Sequence, residues 1–203
     1  MIKTYFDTKE KNLCCGCKVC SSVCPVEAIS FQNDNEGFWY PIIDESKCIK
    51  CNKCRIVCPL AKNELDKIKE ENQTYAAYSK SNEVLDNSTS GGIFTHISDL
   101  VLEDGGVVFG HAYNGDLKCV CKIAITKEER NSFRGSKYVQ SDMNSVYKEI
   151  NNEVKTGKKV LVTGTPCQID AVKNFFSNKK PEGLRLPGKM AHKTVLQQHR
   201  FAF

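Results

Sequence analysis

The sequence has 203 residues, of which 40% are hydrophobic, with 13 glycines and 6 prolines; this globular composition excludes an intrinsically disordered chain. The apolar runs are short and the first residues lack an apolar core. We therefore predict neither a membrane span nor a secretory signal, and expect a cytoplasmic protein. The formal net charge of +5 comes entirely from residues 177–203, because residues 1–176 carry 23 basic and 23 acidic side chains. A nucleic-acid-binding surface is therefore not expected.

Cysteines dominate the first 61 residues. The chain has twelve cysteines, and nine of them lie between Cys14 and Cys58. This segment contains two copies of the pattern C-x₂-C-x₂-C-x₃-C-P, at Cys14–Pro25 and Cys48–Pro59. In a cytosolic protein, so many closely spaced cysteines indicate metal ligands rather than disulfides.

The repeated pattern is typical of a domain that binds two [4Fe–4S] clusters. Three closely spaced cysteines reach three corners of one cluster, and the fourth ligand comes from the other copy of the pattern. The predicted ligand sets are Cys14, Cys17, Cys20 and Cys58 for one cluster, and Cys24, Cys48, Cys51 and Cys54 for the other. Structural zinc is the alternative, but zinc motifs usually offer two separated cysteine pairs for one tetrahedron. Cys15 is out of register and is interpreted as a spare thiol.

Between the two copies, the β-type runs Ala28–Gln32 and Phe38–Ile43 predict a hairpin with a five-residue loop. We therefore assign residues 1–61 to a two-cluster domain. The charged residues 62–73 are interpreted as a linker, with a connecting helix over Ala61–Asn72 as the alternative.

A second domain is predicted over residues 74–176. Its predicted elements are a strand at Thr74–Ser79, an amphipathic helix after Ser88–Gly92, strands at Val107–Tyr113 and Cys119–Ile125, a helix at Met143–Lys155, a strand at Lys158–Thr163, and a helix from Pro166 to about Phe176. Strands that alternate with helices predict an α/β layout, so the whole chain is assigned to the α+β class. Residues 177–203 show no apolar period, and we expect this tail to be poorly ordered.

Two cysteines and two histidines of the second domain are interpreted as structural. Cys119 and Cys121 alternate along a predicted strand, so they share one face, and we assign them to the core. His96 and His111 have no ligand-like spacing to other candidate residues.

Five motifs of the second domain resemble one known family. They are Tyr75–Ser79, Ser88–Thr95, Gly105–Gly110, Phe133–Ser141 and Gly164–Ile169. Through these motifs the chain resembles the coenzyme F420 hydrogenase/dehydrogenase beta subunit family. In this chain the resembling region follows a bacterial ferredoxin-like domain. The resemblance implies an iron–sulfur flavoprotein that exchanges electrons between [4Fe–4S] clusters, FAD and a deazaflavin or another acceptor. It also implies a redox partner protein of the ferredoxin, hydrogenase or dehydrogenase kind.

The resemblance directs attention to candidate cofactor-binding residues. Ser90, Gly91 and Gly92 precede a predicted helix, where exposed backbone N–H groups suit an anion such as a flavin pyrophosphate. A tight turn is the alternative for these three residues. Arg134 and Lys137 would neutralise a phosphate, or would form a solvated basic loop.

Gly164 and Thr165 are further cofactor candidates, and Cys167 is the candidate catalytic residue. Thr165 suits a helix N-cap and Pro166 suits the first helical position. Cys167 then lies in the first turn, where the helix dipole is expected to lower the thiol pKa. The resemblance places this cysteine near a redox centre, as a reactive thiol or as a ligand of a further cluster; a buried structural cysteine is the alternative.

The family continues beyond the Gly164–Ile169 motif with further strands and cysteine motifs, and nothing after about Asn178 resembles it. We therefore expect a shortened second domain, which leaves FAD, coenzyme F420 and a third cluster open. Three hypotheses follow: a flavin-linked oxidoreductase subunit, a two-cluster electron carrier without a flavin, and a fragment without function.

Overall fold

The computed structural model describes residues 4–61 and 75–177, together with the backbone of a short strand at Val195–Gln197. The predicted linker and the rest of the tail lie outside the described residues. Among the helices of the described residues, none has the length and apolar character that crossing a bilayer requires.

The N-terminal part contains short helices around one hairpin. Its elements are α1 (Tyr5–Thr8), α2 (Val19–Ser22), β1 (Ile29–Asn33), β2 (Trp39–Ile43) and α3 (Lys53–Ile56), with 3₁₀ turns at Lys11–Leu13 and Pro59–Ala61. β1 and β2 pair antiparallel, with Ile29 opposite Ile43. The Asp34 carboxylate accepts hydrogen bonds from the backbone N–H groups of Glu36 and Phe38, which holds the loop. The predicted hairpin is confirmed.

The second part is built on a four-stranded sheet flanked by helices. Its elements are α4 (Asn82–Asp86), α5 (Ile93–Glu103), β3 (Val107–Tyr113), β4 (Cys119–Ala124), α6 (Lys127–Asn131), α7 (Val146–Lys155), β5 (Val160–Gly164), α8 (Pro166–Ser177) and β6 (Val195–Gln197). The strand order is β4-β3-β5-β6. β3 pairs antiparallel with β4 and parallel with β5, and β5 pairs parallel with β6. The predicted α+β class, with an α/β region after the ferredoxin-like part, is confirmed.

One predicted element is wrong. Residues 75–79 form no strand; instead the Ser79 N–H donates to the Gly91 carbonyl, so this segment lies along the turn before α5. Within the tail that was expected to be poorly ordered, Val195–Gln197 pairs with β5 as a third parallel strand, and residues 178–194 and 198–203 lie outside the described residues.

Side chains alternate between the two faces of the sheet, as the two-residue period of a strand requires. Val108 and Leu161 pack with Val101 of α5 and with Phe133 on one face. The opposite face carries Val107, Phe109, Val160 and Val162. These strand residues share one buried cluster with Tyr147 and Ile150 of α7 and with Ile169 and Phe175 of α8.

The N-terminal part packs into this second core. Cys17, Val19 and Val57 belong to the same buried cluster as the residues of α7 and α8. Burying one valine contributes about 1.5–3 kcal/mol, so these contacts join the two parts firmly. Two buried hydrogen bonds cross the same boundary: the Tyr147 hydroxyl donates to the Cys17 carbonyl at 2.6 Å, and the Asn174 amide donates to the Val57 carbonyl at 3.1 Å.

Candidate functional site

The structure gathers one predicted set of four cysteines beside α7 and α8. Cys14, Cys17, Cys20 and Cys58 line one small cavity, which we call the inner site. Cys17 and Cys20 are buried, and Cys58 reaches this cavity because α3 turns the chain back toward α2. The last ligand of the second motif therefore lies with the first three cysteines of the first motif.

The other predicted set lies at the surface. Cys24, Cys48, Cys51 and Cys54 line a cavity of about 360 Å³, which we call the outer site. Cys51 is exposed and the other three are half-buried. The two sites are adjacent, because Cys20 of the inner site interacts electrostatically with Cys54 of the outer site.

The chemistry of the two predicted ligand sets fits a [4Fe–4S] cluster in each cavity, because each set supplies four thiol donors, one for each iron corner. Cys15 also lines the inner cavity, as a fifth cysteine. Within the described part of the chain, no three His, Cys, Asp or Glu side chains converge closely enough to hold a single metal ion. Ligands of a cubane bind four different iron atoms and stand farther apart than the ligands of one zinc ion.

Backbone N–H groups point at the cysteine sulfurs of both sites. The Ala28 N–H donates to Cys24 Sγ at 3.3 Å in the outer site. In the inner site, the backbone N–H groups of Leu60 and Ala61 act to lower the pKa of the Cys58 thiol, and the Ala61 N–H donates to the Cys58 carbonyl at 3.2 Å. Such hydrogen bonds stabilise thiolate ligands and set the potential of a cluster.

Burial raises the pKa of three of the inner thiols above the usual value for cysteine. It is the largest cause at Cys14, Cys20 and Cys58, and at Cys20 the neighbouring Cys14 and Cys58 raise the pKa further. These three metal-free thiols are thus protonated at neutral pH. Because metal ligands are thiolates, iron binding must release these protons.

The loop of the inner site contacts the α/β part through three polar interactions, which we call the junction. The Gln140 amide donates to the Cys15 carbonyl at 3.2 Å. Cys15 and Cys167 lie close enough for each thiol to shift the pKa of the other. Lys18 Nζ lies 2.9 Å from Asp142 Oδ2, and only 7% of the Lys18 side chain is exposed.

Aromatic rings complete the surroundings of Lys18. Its Nζ lies 4.5 Å from the centroid of the Trp39 ring and 5.3 Å from that of Phe31, both on the hairpin. A cation over an aromatic face is attracted by the negative charge density of the ring. Lys18 therefore connects the hairpin, the inner site and the α/β part.

Cys167 lies in the first turn of α8, with Pro166 at the first helical position as expected. The Thr165 hydroxyl contacts Cys167 Sγ at 3.2 Å. The expected lowering of the thiol pKa is wrong. The Cys15 thiol, followed by burial, raises the pKa of Cys167 and outweighs the helix dipole.

The other cofactor candidates converge at the carboxyl edge of the parallel strands. α5 leads directly into β3 and packs against it, so its N-terminus at Gly92 lies near the end of β3. Gly164 ends β5 at the same edge. His111 of β3 contacts Ser141 Oγ at 2.6 Å and the Thr163 carbonyl at 3.1 Å, which brings the loop between α6 and α7 to this edge. Ligands of open α/β sheets bind at this position.

The individual candidates differ in what their contacts allow. Lys137 Nζ donates to the carbonyls of Ser132, Arg134 and Gly135, at 3.1, 2.6 and 3.0 Å. An ammonium group has three donors, so these contacts occupy all of them, and Lys137 closes its own loop. Arg134 Nε is buried and has no hydrogen-bond partner among the described residues, so it is the better anion donor.

The two glycines before α5 serve the turn. A Cβ on Gly91 would lie 2.5 Å from the Ala77 carbonyl oxygen, and Gly92 has a φ of +74°. Both positions favour glycine for steric reasons, which supports the tight-turn alternative. The N-terminus of α5 nevertheless has no side-chain cap.

The residues interpreted as structural have structural contacts. Cys119 is buried, and Cys121 packs against the core beneath α7. His96 Nε2 contacts Ser79 Oγ at 2.8 Å, and both ring nitrogens of His111 are hydrogen-bonded. Sequence reasoning missed the junction, because the residues that contact each other there are far apart in the chain. The one local signal was Lys18, a lysine placed between the predicted ligands Cys17 and Cys20.

Comparison with known proteins agrees with this architecture. Residues 13–62 and residues 40–86 match two family models that are both described as a 4Fe-4S dicluster domain. Residues 74–148 match the family described as coenzyme F420 hydrogenase/dehydrogenase, beta subunit N-term.

Individual relatives cover different parts of the chain. An uncharacterized protein of Methanocaldococcus jannaschii is 26% identical over 88% of this chain and 58% of its own length. UacF of Escherichia coli is 42% identical over 22% of this chain and 6% of its own length. A chain of the F420-reducing [NiFe] hydrogenase complex from Methanosarcina barkeri matches with a TM-score of 0.44 and 28% identity, over 56% of this chain and 40% of that chain. This chain therefore spans less than two thirds of each relative.

The cysteine motifs and these matches define an iron–sulfur electron-transfer protein. More particularly, residues 74–148 are similar to the N-terminal domain of the coenzyme F420 hydrogenase/dehydrogenase beta subunit, and residues 13–62 before them are similar to a 4Fe-4S dicluster domain.

Proposed function

We propose that the chain carries electrons between the outer site, the inner site and FAD bound at the carboxyl edge of the sheet. The observation that carries this proposal is the junction. There the loop of the inner site contacts the α/β part through Cys15 and Cys167, next to the edge where α/β sheets bind ligands. The order of the three centres follows from their placement.

The eight cysteines act as cluster ligands in the two crossed sets. When bound, each [4Fe–4S] cluster supplies one-electron chemistry. Four cysteine ligands for each cluster leave no corner for a substrate, so these residues hold the cluster and do not expose a reactive position. Val19 and Val57 keep water away from the inner site, and the backbone N–H groups stabilise its sulfurs.

The outer site is where a redox partner protein exchanges electrons with the chain. Cys51 is exposed, and Lys50 and Lys53 line the same open cavity. A partner of the ferredoxin, hydrogenase or dehydrogenase kind fits this position. A cytoplasmic location also fits, since twelve free cysteines need a reducing compartment.

FAD at the carboxyl edge is supported by two features. The N-terminus of α5 offers uncapped backbone N–H groups, and the buried Arg134 Nε has no hydrogen-bond partner among the described residues. A flavin pyrophosphate satisfies both. Gly164 and Thr165 lie at the same edge, next to Cys167. Coenzyme F420 as a further acceptor rests on the family resemblance alone.

A two-cluster carrier without a flavin is the second candidate function. It is favoured by Lys137, whose three N–H donors are all hydrogen-bonded within its own loop and are not available to a phosphate. It is also favoured by Gly91, which the tight turn requires for steric reasons whether or not a cofactor binds. In this function the inner site delivers electrons to a second protein rather than to a bound cofactor.

Flavin content after anaerobic reconstitution separates the two functions. We expect FAD to be released on denaturation, with about eight iron atoms per chain. Arg134→Ala should reduce flavin affinity about tenfold or more, because a charged hydrogen bond contributes about 1.5–3 kcal/mol. Lys127→Ala removes a matched exposed charge, paired with Glu103, and should leave flavin binding unchanged.

Other outcomes of this experiment are equally informative. About eight iron atoms without any flavin would establish the carrier and contradict the flavin proposal. Fewer than about four iron atoms per chain would contradict both functions, because one complete cluster requires four.

A further inference from the structure

The two cysteine motifs have matching positions with different surroundings. Cys15 and Val19 of the first copy match Ile49 and Lys53 of the second, because the ligands have the same spacing in both. In the first copy these positions meet the rest of the chain. Val19 is buried in one core with residues of α7 and α8, and the Cys15 carbonyl accepts a hydrogen bond from Gln140. One side of the first loop is therefore a docking surface for the α/β part.

The same side of the second loop faces solvent. The two loops have the same backbone, since the matching residues Lys18 and Asn52 have φ angles of +60° and +58°. Ile49, at the position of Cys15, is 60% exposed and lines the outer cavity beside the exposed Cys51. A single exposed isoleucine is common on protein surfaces, but this one occupies a position that the first copy uses for docking.

The second loop is also basic. Residues 47–55 hold four basic side chains and no acidic one. Two of the four are in ion pairs with aspartates, whereas Lys50 and Lys53 are exposed and have no ion-pair partner among the described residues. In the first copy, Lys18 is paired with Asp142 of the α/β part. The chain itself thus shows how such a loop docks, with a lysine that pairs with a carboxylate of the surface it meets.

We propose that Ile49, Lys50 and Lys53 form the docking surface for an acidic electron-transfer protein. This inference rests on the proposed function, in which a redox partner meets the outer site, and it adds the chemistry of that partner. The partner offers an apolar contact to Ile49 and Asp or Glu carboxylates to the two lysines. Because the thiolates around a bound cluster are themselves negative, these ion pairs form at close range, through the ammonium groups. Cys51, which lies between the lysines in the chain, then brings the outer cluster to the partner.

The test measures binding and not turnover. The full chain, reconstituted anaerobically with its clusters, is titrated into a dye-labelled small acidic 2[4Fe–4S] ferredoxin, and anisotropy gives the dissociation constant. We expect binding that weakens as salt is added, since exposed ion pairs are screened. Lys53→Glu should raise the dissociation constant about tenfold or more, because it places like charges opposite each other. Ile49→Ala should raise it about fivefold, as expected for a contact at the centre of an interface.

Two matched controls lie in the α/β part and do not line the outer cavity. Ile125 is also 60% exposed, and Lys118 is an exposed lysine just before β4. Ile125→Ala and Lys118→Glu make the same chemical changes and should leave the dissociation constant unchanged. Iron content is measured on every variant, which separates lost docking from a lost outer cluster. If Lys53→Glu loses iron, Lys53→Gln removes the charge without reversing it and gives the same readout.

Three results would overturn the proposal. In the first, the unmodified chain does not bind the ferredoxin. In the second, Ile49→Ala and Lys53→Glu bind it as tightly as the unmodified chain does. In the third, sedimentation shows that the unmodified chain is a dimer that Lys53→Glu dissociates, so that a second copy covers this surface.

The docking surface and the relay fail separately in this experiment. Reduced methyl viologen is a small dye that needs no docking surface, so reduction of the clusters by this dye tests electron transfer alone. A chain whose clusters accept electrons from the dye but which does not bind the ferredoxin contradicts only the docking surface. A chain that binds the ferredoxin but whose clusters cannot be reduced contradicts only the relay.

Discussion

The inner and outer sites come from two copies of one motif, and their backbones are alike. Gly16 and Lys50, at matching positions, have φ angles of +64° and +52°. Lys18 and Asn52, also matching, have φ angles of +60° and +58°. The ligand spacing therefore dictates the same loop twice, while the side chains between the ligands decide what each loop contacts.

The side chains at those matching positions have opposite surroundings. A Cβ on Gly16 would lie 2.1 Å from Gln140 Nε2, so this glycine leaves room for the α/β part. Lys18 is buried between Asp142 and two aromatic rings. Lys50 and Asn52 are exposed at the rim of the outer cavity. The first copy has become an internal interface, and the second has stayed at the surface.

The largest expected effect comes from removing the crossed ligand of the inner site. Cys58→Ser should lower the iron content from about eight to about four per chain, because a cluster that lacks one thiolate is lost. The cluster that remains should be the outer one. Cys24→Ser should give the same iron content but leave the inner cluster, and Cys15→Ser should keep about eight iron atoms. These contents are measured by iron analysis, and EPR of the reduced protein identifies the surviving cluster.

The pairing of ligands is wrong if Cys58→Ser removes the cluster held by Cys48, Cys51 and Cys54 instead. The EPR spectrum of this variant would then equal that of Cys48→Ser, which lacks the outer cluster, rather than that of Cys14→Ser, which lacks the inner one.

The next largest effect is expected at Lys18. Lys18→Met should lower the free energy of unfolding by about 1–3 kcal/mol, because it leaves the Asp142 carboxylate without its partner. The value stays below that of a fully buried pair, since Asp142 is 34% exposed. The control in the outer copy is Lys53→Met, one residue after the matching position Asn52, which removes an exposed lysine and should change stability by less than about 0.5 kcal/mol. Anaerobic urea denaturation measures both; equal losses would refute the interface role of Lys18.

The smallest effect is expected at Gly16. Gly16→Ala should cost about 1–2 kcal/mol, the price of a Cβ at positive φ, since the end of the Gln140 side chain can move aside. Lys50→Ala in the outer copy should be nearly neutral, because that position already carries a Cβ. The same denaturation series distinguishes them, and a neutral Gly16→Ala would show that the positive φ at this position does not require glycine.

Local patterns of the sequence were sufficient to predict the two cysteine loops and most elements. The spacing of the cysteines predicts the two loops, because a cluster of fixed size determines which residues reach its corners. The hairpin between the motifs and the helix after Gly92 follow from equally local signals. The strand expected at Thr74–Ser79 did not form, because Tyr75 and Tyr78 are exposed and the sheet is completed elsewhere.

Contacts between distant residues were beyond prediction. The helix dipole argument for Cys167 considered only its own helix, whereas Cys15 controls the thiol. The phosphate role expected of Lys137 considered only its charge, whereas the backbone of its own loop occupies its donors. Both errors have the same physical origin, since a single sequence does not show which partners a folded chain brings to a side chain.

The difference in exposure between the two sites is tested most directly by EPR saturation of the reduced protein, with and without a soluble paramagnetic dysprosium chelate. Cys58→Ser isolates the outer cluster and Cys24→Ser isolates the inner one. We predict that the chelate speeds the relaxation of the outer cluster strongly and that of the inner cluster only weakly. An inner cluster that responds as strongly as the outer one would contradict its burial against the α/β part.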